Sequence, residues 1–194
     1  ALIVKKYPTC GGNHSMLDAL LGIIHENNLA YDDIESVRVD NQSYISVVQI
    51  YQEPKDGLTG KFSILYNAAR AILDGKVTMD TFTDEAAADP RVKEAMKKLD
   101  IPVAPKWHAD AVLAANPVTV RTKDGRAFTK TVEVKDVLGA QRNPWGMESI
   151  TAKFKECARR VLSEKQVEEA IRTWSRIDRI TSLEAALKKV TANG

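Results

Sequence analysis

Residues 118–134, with the sequence VTVRTKDGRAFTKTVEV, carry the clearest structural signal in this chain. The flanking runs 118–122 and 127–134 alternate in polarity or carry β-branched side chains, as strands do. Between them, Asp124-Gly125 is the dipeptide typical of a two-residue hairpin turn. The segment therefore predicts an antiparallel β-hairpin.

Strands and helices are predicted before the hairpin. Residues 1–8 are apolar and then basic, and they predict a strand that runs into a tight turn at Gly11-Gly12. From Ser15 to Asn28, apolar residues at helical spacing predict a helix with an asparagine stop. Residues 31–40 predict a short strand. Residues 44–51 are apolar enough for a strand or a buried helix, and their pattern leaves both open.

Two more helices are predicted before the hairpin. Residues 57–60 are expected to form a loop, and a helix is expected over 61–75, where Gly75 supplies a left-handed stop. Asp89-Pro90 is typical of a helix start, because a capping carboxylate precedes proline at the first helical position. This helix is expected to extend through residues 96–99.

Only helices are predicted after Asn143-Pro144-Trp145-Gly146. The first covers about 148–162, the second opens with the capping box Ser163-x-x-Gln166, and the third opens with Thr181-x-x-Glu184. The predicted fold class is therefore α+β, with the hairpin-containing domain followed by a helical tail.

Charge separates these two regions. The 194 residues carry a formal net charge of +2, but residues 1–150 carry 18 basic and 20 acidic side chains, whereas 151–194 carry 10 and 6. Three short helices bury little apolar surface by themselves. We expect domains at 1–145 and 146–194, and we expect the tail to need another surface to pack on.

Several classes of function are disfavoured by composition. A net charge of +2 and 6% aromatic residues give no basis for an obligatory nucleic-acid or membrane partner. The apolar runs are far shorter than the roughly 20 residues that span a bilayer. Cys10 and Cys157 belong to no C-x-x-C pair, which favours a reducing cytoplasm. Because the chain opens on Ala1, as though a strand were already under way, we expect a preceding N-terminal portion.

The segment KKYPTCGGNH, residues 5–14, is the strongest candidate for an anion site. It places the cation of Lys5 and the open backbone of Gly11 and Gly12 at a helix start, where free N–H groups attract negative charge. Asn13 is a further candidate, as a cap or as a ligand-binding side chain. The alternative is an ordinary glycine turn beside solvated lysines.

A candidate for proton transfer lies in the same segment. His14 can exchange a proton near neutral pH, and Asp18, four residues later, could orient its imidazole. The alternative is a histidine that only caps the helix.

A second helix start repeats this design at Gly60-Lys61-Phe62-Ser63. Lys61 supplies a cation, Ser63 a hydroxyl, and Tyr66 lies one turn further on. Two such helix starts facing each other would suit a substrate with several carboxylates. Taken singly, Lys61 is as well explained by a surface lysine and Ser63 by a routine cap.

No metal site or cofactor is predicted. His14, His25 and His108 lack the spacing of metal ligands, and His108 beside Trp107 is expected in a loop. The chain has no glycine-rich phosphate-binding motif and no nucleophile elbow.

The order and spacing of motifs along the chain resemble the C-terminal domain of the MmgE/PrpD family. These motifs are Lys5-x-Tyr7-Pro8-x-Cys10-x-x-x-His14, Glu53-Pro54 before Lys61-Phe62-Ser63, Leu73-Asp74-Gly75, Phe82-Thr83 before Asp89-Pro90-Arg91-Val92, Val118-Thr119-Val120 before Asp124-Gly125-Arg126, and Asn143-Pro144 before Lys153-Phe154.

The resemblance implies a two-layer α+β lid domain whose C-terminal helices return to a large helical domain built from N-terminal sequence, with a cleft between them. It implies a lyase or isomerase that acts on small di- or tricarboxylic acids, as 2-methylcitrate dehydratase, cis-aconitate decarboxylase and iminodisuccinate epimerase do. Lys5 and His14 match family positions that line the cleft. The resemblance also implies a homodimer at full length.

The expected chemistry is metal-free abstraction or return of a proton beside a carboxylate. Lys5, His14 and Lys61 would stabilise the negative charge that develops. Further acid–base residues are expected in the N-terminal part, so the 194 residues alone are expected to be inactive. The alternative is a non-catalytic ligand-binding or assembly module.

Overall fold

A computed structural model of the chain describes residues 4–40, 50–102, 115–137, 139–140 and 142–191. The chain divides into two compact units, Ala1–Pro144 and Trp145–Gly194. The first unit combines helices with a four-stranded sheet, which confirms the predicted α+β class.

The first unit contains five α-helices and four strands within its described residues. The helices are α1 (His14–Glu26), α2 (Gly57–Gly60), α3 (Ile64–Asp74), α4 (Asp84–Ala88) and α5 (Pro90–Met96). The strands are β1 (Ile34–Val39), β2 (Leu99–Asp100), β3 (Val118–Thr122) and β4 (Ala127–Lys130). Short 3-10 turns occur at Gly11–Asn13, Tyr31–Asp33, Met79–Phe82 and Val134–Asp136.

The described residues of the second unit form helices joined by turns, and no strand. Its helices are α6 (Met147–Ala158), α7 (Glu164–Trp174) and α8 (Leu183–Lys188), with a 3-10 turn at Ile177–Arg179. A small apolar cluster of Ala158, Leu162 and Val167 joins α6 to α7.

The sheet has the order β2-β1-β3-β4 and carries the core of the first unit. β1 pairs parallel with β2 and antiparallel with β3, and β3 pairs antiparallel with β4. The wholly buried residues of β1 and β3 form the sheet side of this core, with an irregularity in the pairing of β1 between Ile34 and Ser36, and α1 packs on β3 and β4. These residues are Ile34, Val37, Val39, Val118 and Val120.

The predicted hairpin is confirmed, but its turn is longer than expected. Gly125 N donates to Thr122 O at 2.9 Å, and Thr122 N donates to Arg126 O at 2.9 Å. Gly125 has a φ of 89°, whereas Asp124 is not in the left-handed region. A type I′ turn needs two residues with positive φ, so the single one here gives a three-residue connection. β4 ends at Lys130, four residues before the predicted end.

Three other predictions before the hairpin are wrong. Of the strand predicted over residues 1–8, residues 1–3 lie outside the described residues, residues 4 and 5 are irregular, and residues 6–8 form bends instead of a strand. Residues 57–60 form α2 instead of a loop, because Asp56 caps the turn by accepting from Thr59 N at 2.7 Å. The helix expected through residue 99 ends at Met96, and Leu99–Asp100 joins the sheet beside β1.

The predicted helix caps are largely correct. Gly75 ends α3 with a φ of 62°, and Asp89 accepts from Arg91 N at the start of α5. In the tail, Ser163 and Gln166 form the expected capping box. The cap of α8 is Ser182 instead of Thr181, since it is Ser182 that accepts from Ala185 N. Most of the ambiguous segment 44–51 lies outside the described residues.

The carboxylate of Asp89 joins two elements and gives a testable pH dependence. Hydrogen bonds from Arg91 lower the pKa of Asp89 to about 2, and Arg70 Nη1 lies 3.3 Å from Asp89 Oδ2. A carboxyl group with an ordinary pKa of about 4 in the unfolded chain stabilises the fold above that pH, and the stabilisation disappears as the pH falls towards 2.

We expect Asp89→Asn to lower the free energy of unfolding at pH 7 by about 1.5–3 kcal/mol, the size of a charge-assisted hydrogen bond. The difference from the wild type should shrink between about pH 4 and pH 2. Urea unfolding across this range measures both effects. Asp178→Asn, at a side chain that is 77% exposed, is the control and should change little. If the difference in unfolding free energy between the wild type and Asp89→Asn stayed constant down to pH 2, the lowered pKa assigned to Asp89 would be wrong.

Candidate functional site

The starts of α1 and α3 lie side by side. Cys10 N donates to Lys61 O at 3.1 Å, and Thr9 Oγ1 donates to the same carbonyl oxygen at 2.8 Å. We call residues 5–14 together with 60–66 the corner. The two predicted helix starts are thus neighbours in the fold, although about fifty residues separate them in sequence.

Thr9 connects both parts of the corner. Its hydroxyl donates to Lys61 O and accepts from Asn13 Nδ2 at 2.9 Å. Thr9 is 3% exposed and Asn13 is fully buried. Buried polar groups must be paired to be tolerated, so this hydroxyl holds the Gly11–Asn13 turn against the segment that carries Lys61.

The helix begins earlier than predicted, with consequences for the anion site. The 3-10 turn Gly11–Asn13 precedes α1, and Asn13 N and His14 N already donate to Cys10 O and Gly11 O. The backbone at the start of this helical run therefore belongs to Gly11, which is exposed, and to Gly12, which is half-buried. Asn13 makes no capping hydrogen bond, which corrects the prediction that its side chain caps α1.

Gly11 and Gly12 leave room next to the turn because they have no side chain, and the backbone here does not need the positive φ that glycine allows. Neither Gly11 nor Gly12 has a positive φ. A Cβ built on Gly11 would meet no atom of the described chain within 4 Å, so this side of the turn is open to a ligand.

Two cations belong to the corner. Lys5 is exposed, and its Nζ donates to Thr9 O at 3.1 Å. Lys61 is half-buried, and its Nζ lies 5.9 Å from the centre of the Phe82 ring. Together with the open turn, these side chains give the corner fixed positive charge beside backbone donors.

His14 is buried at the base of the corner. It is 4% exposed, and its ring meets the ring of Tyr7 edge-on, with centroids 5.3 Å apart. Tyr7 OH donates to Asp18 Oδ1 at 2.7 Å, and Lys6 Nζ lies 2.7 Å from the same oxygen. Burial, with the charge of Asp18 and its hydrogen bond, raises the pKa of Tyr7. Asp18 thus fixes Tyr7, which packs on His14.

Ser63 and Tyr66 make structural contacts. Ser63 caps α3 by accepting from Tyr66 N at 3.1 Å, and Tyr66 OH donates to Thr81 O. Both side chains are fully buried, and burial raises the pKa of Tyr66 to about 12. A Cβ on Gly60 would come within 2.9 Å of the Tyr66 ring. A direct contact of Ser63 or Tyr66 with substrate stays a prediction.

Sequence reasoning missed the residues that join the corner. Thr9 gave no periodic or motif signal, since its partner Lys61 O lies 52 positions away. Asn67 is fully buried and its Nδ2 donates to Gly60 O and Ser63 O, at 2.9 and 2.7 Å. A buried asparagine inside an otherwise apolar helix face is the one signal that could have pointed to it.

The other histidines do not belong to the corner as described. His25 Nε2 lies 2.7 Å from Gly75 O, at the end of α3, and His108 lies outside the described residues. Within the described ranges, no group of three or more His, Cys, Asp or Glu side chains could hold a metal ion. No described helix is long and apolar enough to cross a bilayer.

A small sheet covered by helices, with two helix starts and their cations at one corner, defines an α+β domain that presents positive charge and backbone donors at that corner. The comparison with protein families agrees with the motif order: the MmgE/PrpD C-terminal domain matches residues 7–178. The chain belongs to the MmgE/PrpD family, and the match places it at the C-terminal domain.

Individual relatives are similar at moderate identity. The chain is 28% identical to the mitochondrial 2-methylcitrate dehydratase of Yarrowia lipolytica, over 72% of this chain and 28% of that protein. It is 25% identical to the human cis-aconitate decarboxylase, over 87% of this chain and 35% of that protein. The chain therefore spans about a third of the length of the curated relatives it matches. Because one relative is mitochondrial, a cytoplasmic location stays a prediction.

The bridge at Thr9 can be tested by removing its hydroxyl. We expect Thr9→Val to lower the free energy of unfolding by about 1–3 kcal/mol, because it leaves the buried Asn13 Nδ2 and Lys61 O short of a partner. Thr129→Val is the matched control, since its hydroxyl only meets Thr119 Oγ1 on an exposed strand face. Chemical denaturation measures both variants. Equal losses would mean that Thr9 does not hold the corner together.

Proposed function

We propose that this chain is the C-terminal domain of an enzyme that removes or returns a proton beside a carboxylate of a small di- or tricarboxylic acid. The observation that carries the proposal is the bonding of two cation-bearing helix starts through the carbonyl of Lys61. The family match supports it, as do relatives named as a dehydratase and a decarboxylase.

The corner suits a substrate with more than one carboxylate. Lys5 and Lys61 supply point charges, and the open turn at Gly11 and Gly12 supplies backbone donors. These groups are held by the fold before the ligand arrives, which reduces the cost of binding. 2-Methylcitrate and cis-aconitate are both tricarboxylates, so the names of the relatives support the same substrate class.

The proposed reaction begins with loss of a proton from the carbon next to a carboxylate. The electron pair of the broken C–H bond moves into the carboxylate, and positive charge must stabilise the resulting enediolate. In a dehydration, the pair returns to form a C=C bond while hydroxide leaves the adjacent carbon and is protonated to water. We assign charge stabilisation to Lys5 and Lys61 and proton transfer to His14 or Lys5.

Decarboxylation and epimerisation use the same corner in this proposal. In decarboxylation, the π pair of the alkene takes up a proton at one carbon, the C–C bond to a carboxylate breaks with release of carbon dioxide, and the electron pair of that bond forms the C=C bond of the product. In epimerisation, the proton returns to the opposite face of the same carbon.

The remaining catalytic groups are proposed to come from an N-terminal helical domain of the same protein. The relatives extend well beyond the matched region, which leaves room for such a domain. We also propose that the helices after residue 146 pack on it and that the full-length protein is a homodimer. The 194 residues alone would then be inactive.

The second candidate function is a ligand-binding or assembly module without chemistry of its own. The burial of His14, which is only 4% exposed behind Tyr7, favours it. The two functions predict different effects of replacing His14. Turnover depends on this residue only if it transfers a proton.

Activity of the full-length protein tests the proposal, with 2-methylcitrate and cis-aconitate as the two substrates. We expect His14→Gln to reduce kcat by roughly 10²- to 10⁴-fold, because glutamine bonds at similar reach but transfers no proton. If His14→Gln kept a normal kcat and only lowered the Tm, the histidine would be structural and the catalytic proposal for it would be wrong.

Lys5→Met tests the charge assignment in the same assay. We expect a higher KM, and a difference from the wild type that shrinks as salt is added, because salt screens the remaining charges. Lys97→Met, at a lysine paired with Glu94 on the surface, is the control and should leave KM unchanged. A KM for Lys5→Met that equalled the control at every salt concentration would contradict a substrate-binding role.

A further inference from the structure

The second unit contains a pocket whose lining is strongly basic. The pocket has a volume of about 330 Å³ and lies between the end of α7, the 3-10 turn after it and α8. Four of the described lining side chains are cationic and none is a carboxylate. The cationic side chains are Arg172, Arg176, Arg179 and Lys189.

These cations come together because of their positions along the chain. Arg172 and Arg176 lie one turn apart on the same face of α7, or just after its end, and Arg179 follows in the next turn. Lys189, directly after α8, is fixed from the other side, since its Nζ donates to Thr173 Oγ1 at 3.1 Å and lies 3.6 Å from Glu169 Oε1.

The guanidinium groups of the three arginines remain available to bind a ligand. Within the described chain, the guanidinium groups of Arg172 and Arg176 have no hydrogen-bond or ion-pair partner. Arg179 only approaches its neighbour Asp178, at 3.8 Å between two exposed side chains. Arg172, Arg176 and Arg179 are all positively charged and repel one another. A bound anion would offset this repulsion, which otherwise lowers the stability of the fold.

Part of the pocket lining is apolar. Ile180, Ala185 and Ala186 line it together with the hydroxyl-bearing residues Thr173, Thr181 and Ser182. Guanidinium groups bind carboxylates and phosphates with paired hydrogen bonds, and the apolar lining residues can contact a short carbon skeleton.

We propose that this pocket, which is lined by none of the residues of the corner, binds a small anion with at least two negative charges. Arg172 and Arg176 supply the paired hydrogen bonds, and Arg179 and Lys189 supply further positive charge. The shared chemistry of the ligand is an oxyanion, either a phosphate or a cluster of carboxylates. Its binding requires no reaction at the corner and holds whichever function the corner has.

The test is protection of the arginines from phenylglyoxal in the full-length protein, read at each residue by peptide mass spectrometry. Inorganic phosphate and citrate are the two probes, each compared with sodium chloride at the same ionic strength. We expect at least one probe to slow the modification of Arg172 and Arg176 at least tenfold and saturably. Protection by phosphate alone identifies a phosphoryl ligand, and protection by citrate alone identifies a carboxylate ligand.

Two variants distinguish a specific site formed by the arginines from nonspecific attraction of an anion to a basic surface. With Arg172→Gln, the probe concentration that half-protects Arg176 should rise about tenfold, as expected for the loss of one charge-assisted contact. Lys165→Gln removes an exposed charge elsewhere on α7 and should leave that concentration unchanged. Equal protection by sodium chloride, or an equal effect of Lys165→Gln, would overturn the proposal.

Discussion

The carbonyl oxygen of Lys61 is the acceptor on which the arrangement of the first unit depends. It accepts from the backbone of Cys10 and from the hydroxyl of Thr9, at 3.1 and 2.8 Å. Because Thr9 also accepts from Asn13, the turn before α1 and the segment before α3 are held together. Without these bonds, two buried polar groups would lack partners, so other placements of the two segments are costly.

This constraint explains how one corner brings positive groups together. Lysines repel each other, and the N-terminal ends of helices carry partial positive charge, which has the same sign. A fold tolerates such crowding only when other interactions hold the segments in place, and here the bonds around Thr9 and the packing of Tyr7 on His14 do so. The unfavourable charge that remains is what an anionic substrate would neutralise.

The sequence predicted what local chemistry determines. The Asp124-Gly125 hairpin, the Asp89 cap and the box of Ser163 with Gln166 all depend on residues within a few positions of each other. Predictions from the sequence failed where the local structure depends on contacts between residues far apart in the chain. Leu99–Asp100 forms a strand only because β1 offers a free edge, and the described residues 4–8 of the predicted first strand lead into Thr9 and Cys10, which bond to Lys61 instead of to a neighbouring strand.

For the candidate site, too, local sequence signals identified some residues, whereas contacts between distant residues determined the rest. Lys5, the glycine pair and Lys61 could be selected from residue type and helix position, and each lies in the corner. The burial of Ser63 and Tyr66 could not be read from spacing, because it depends on Phe82, Thr81 and the close approach of Gly60. Residue type therefore located the charges, and tertiary packing determined which side chains a ligand can reach.

The most direct test is a crystal structure of the full-length protein with tricarballylate, an unreactive tricarboxylate. We expect carboxylate oxygens within hydrogen-bond distance, about 3 Å, of Lys5 or Lys61 Nζ and of the backbone at Gly11 and Gly12. A ligand bound elsewhere, with Lys5 and Lys61 both facing solvent, would contradict it.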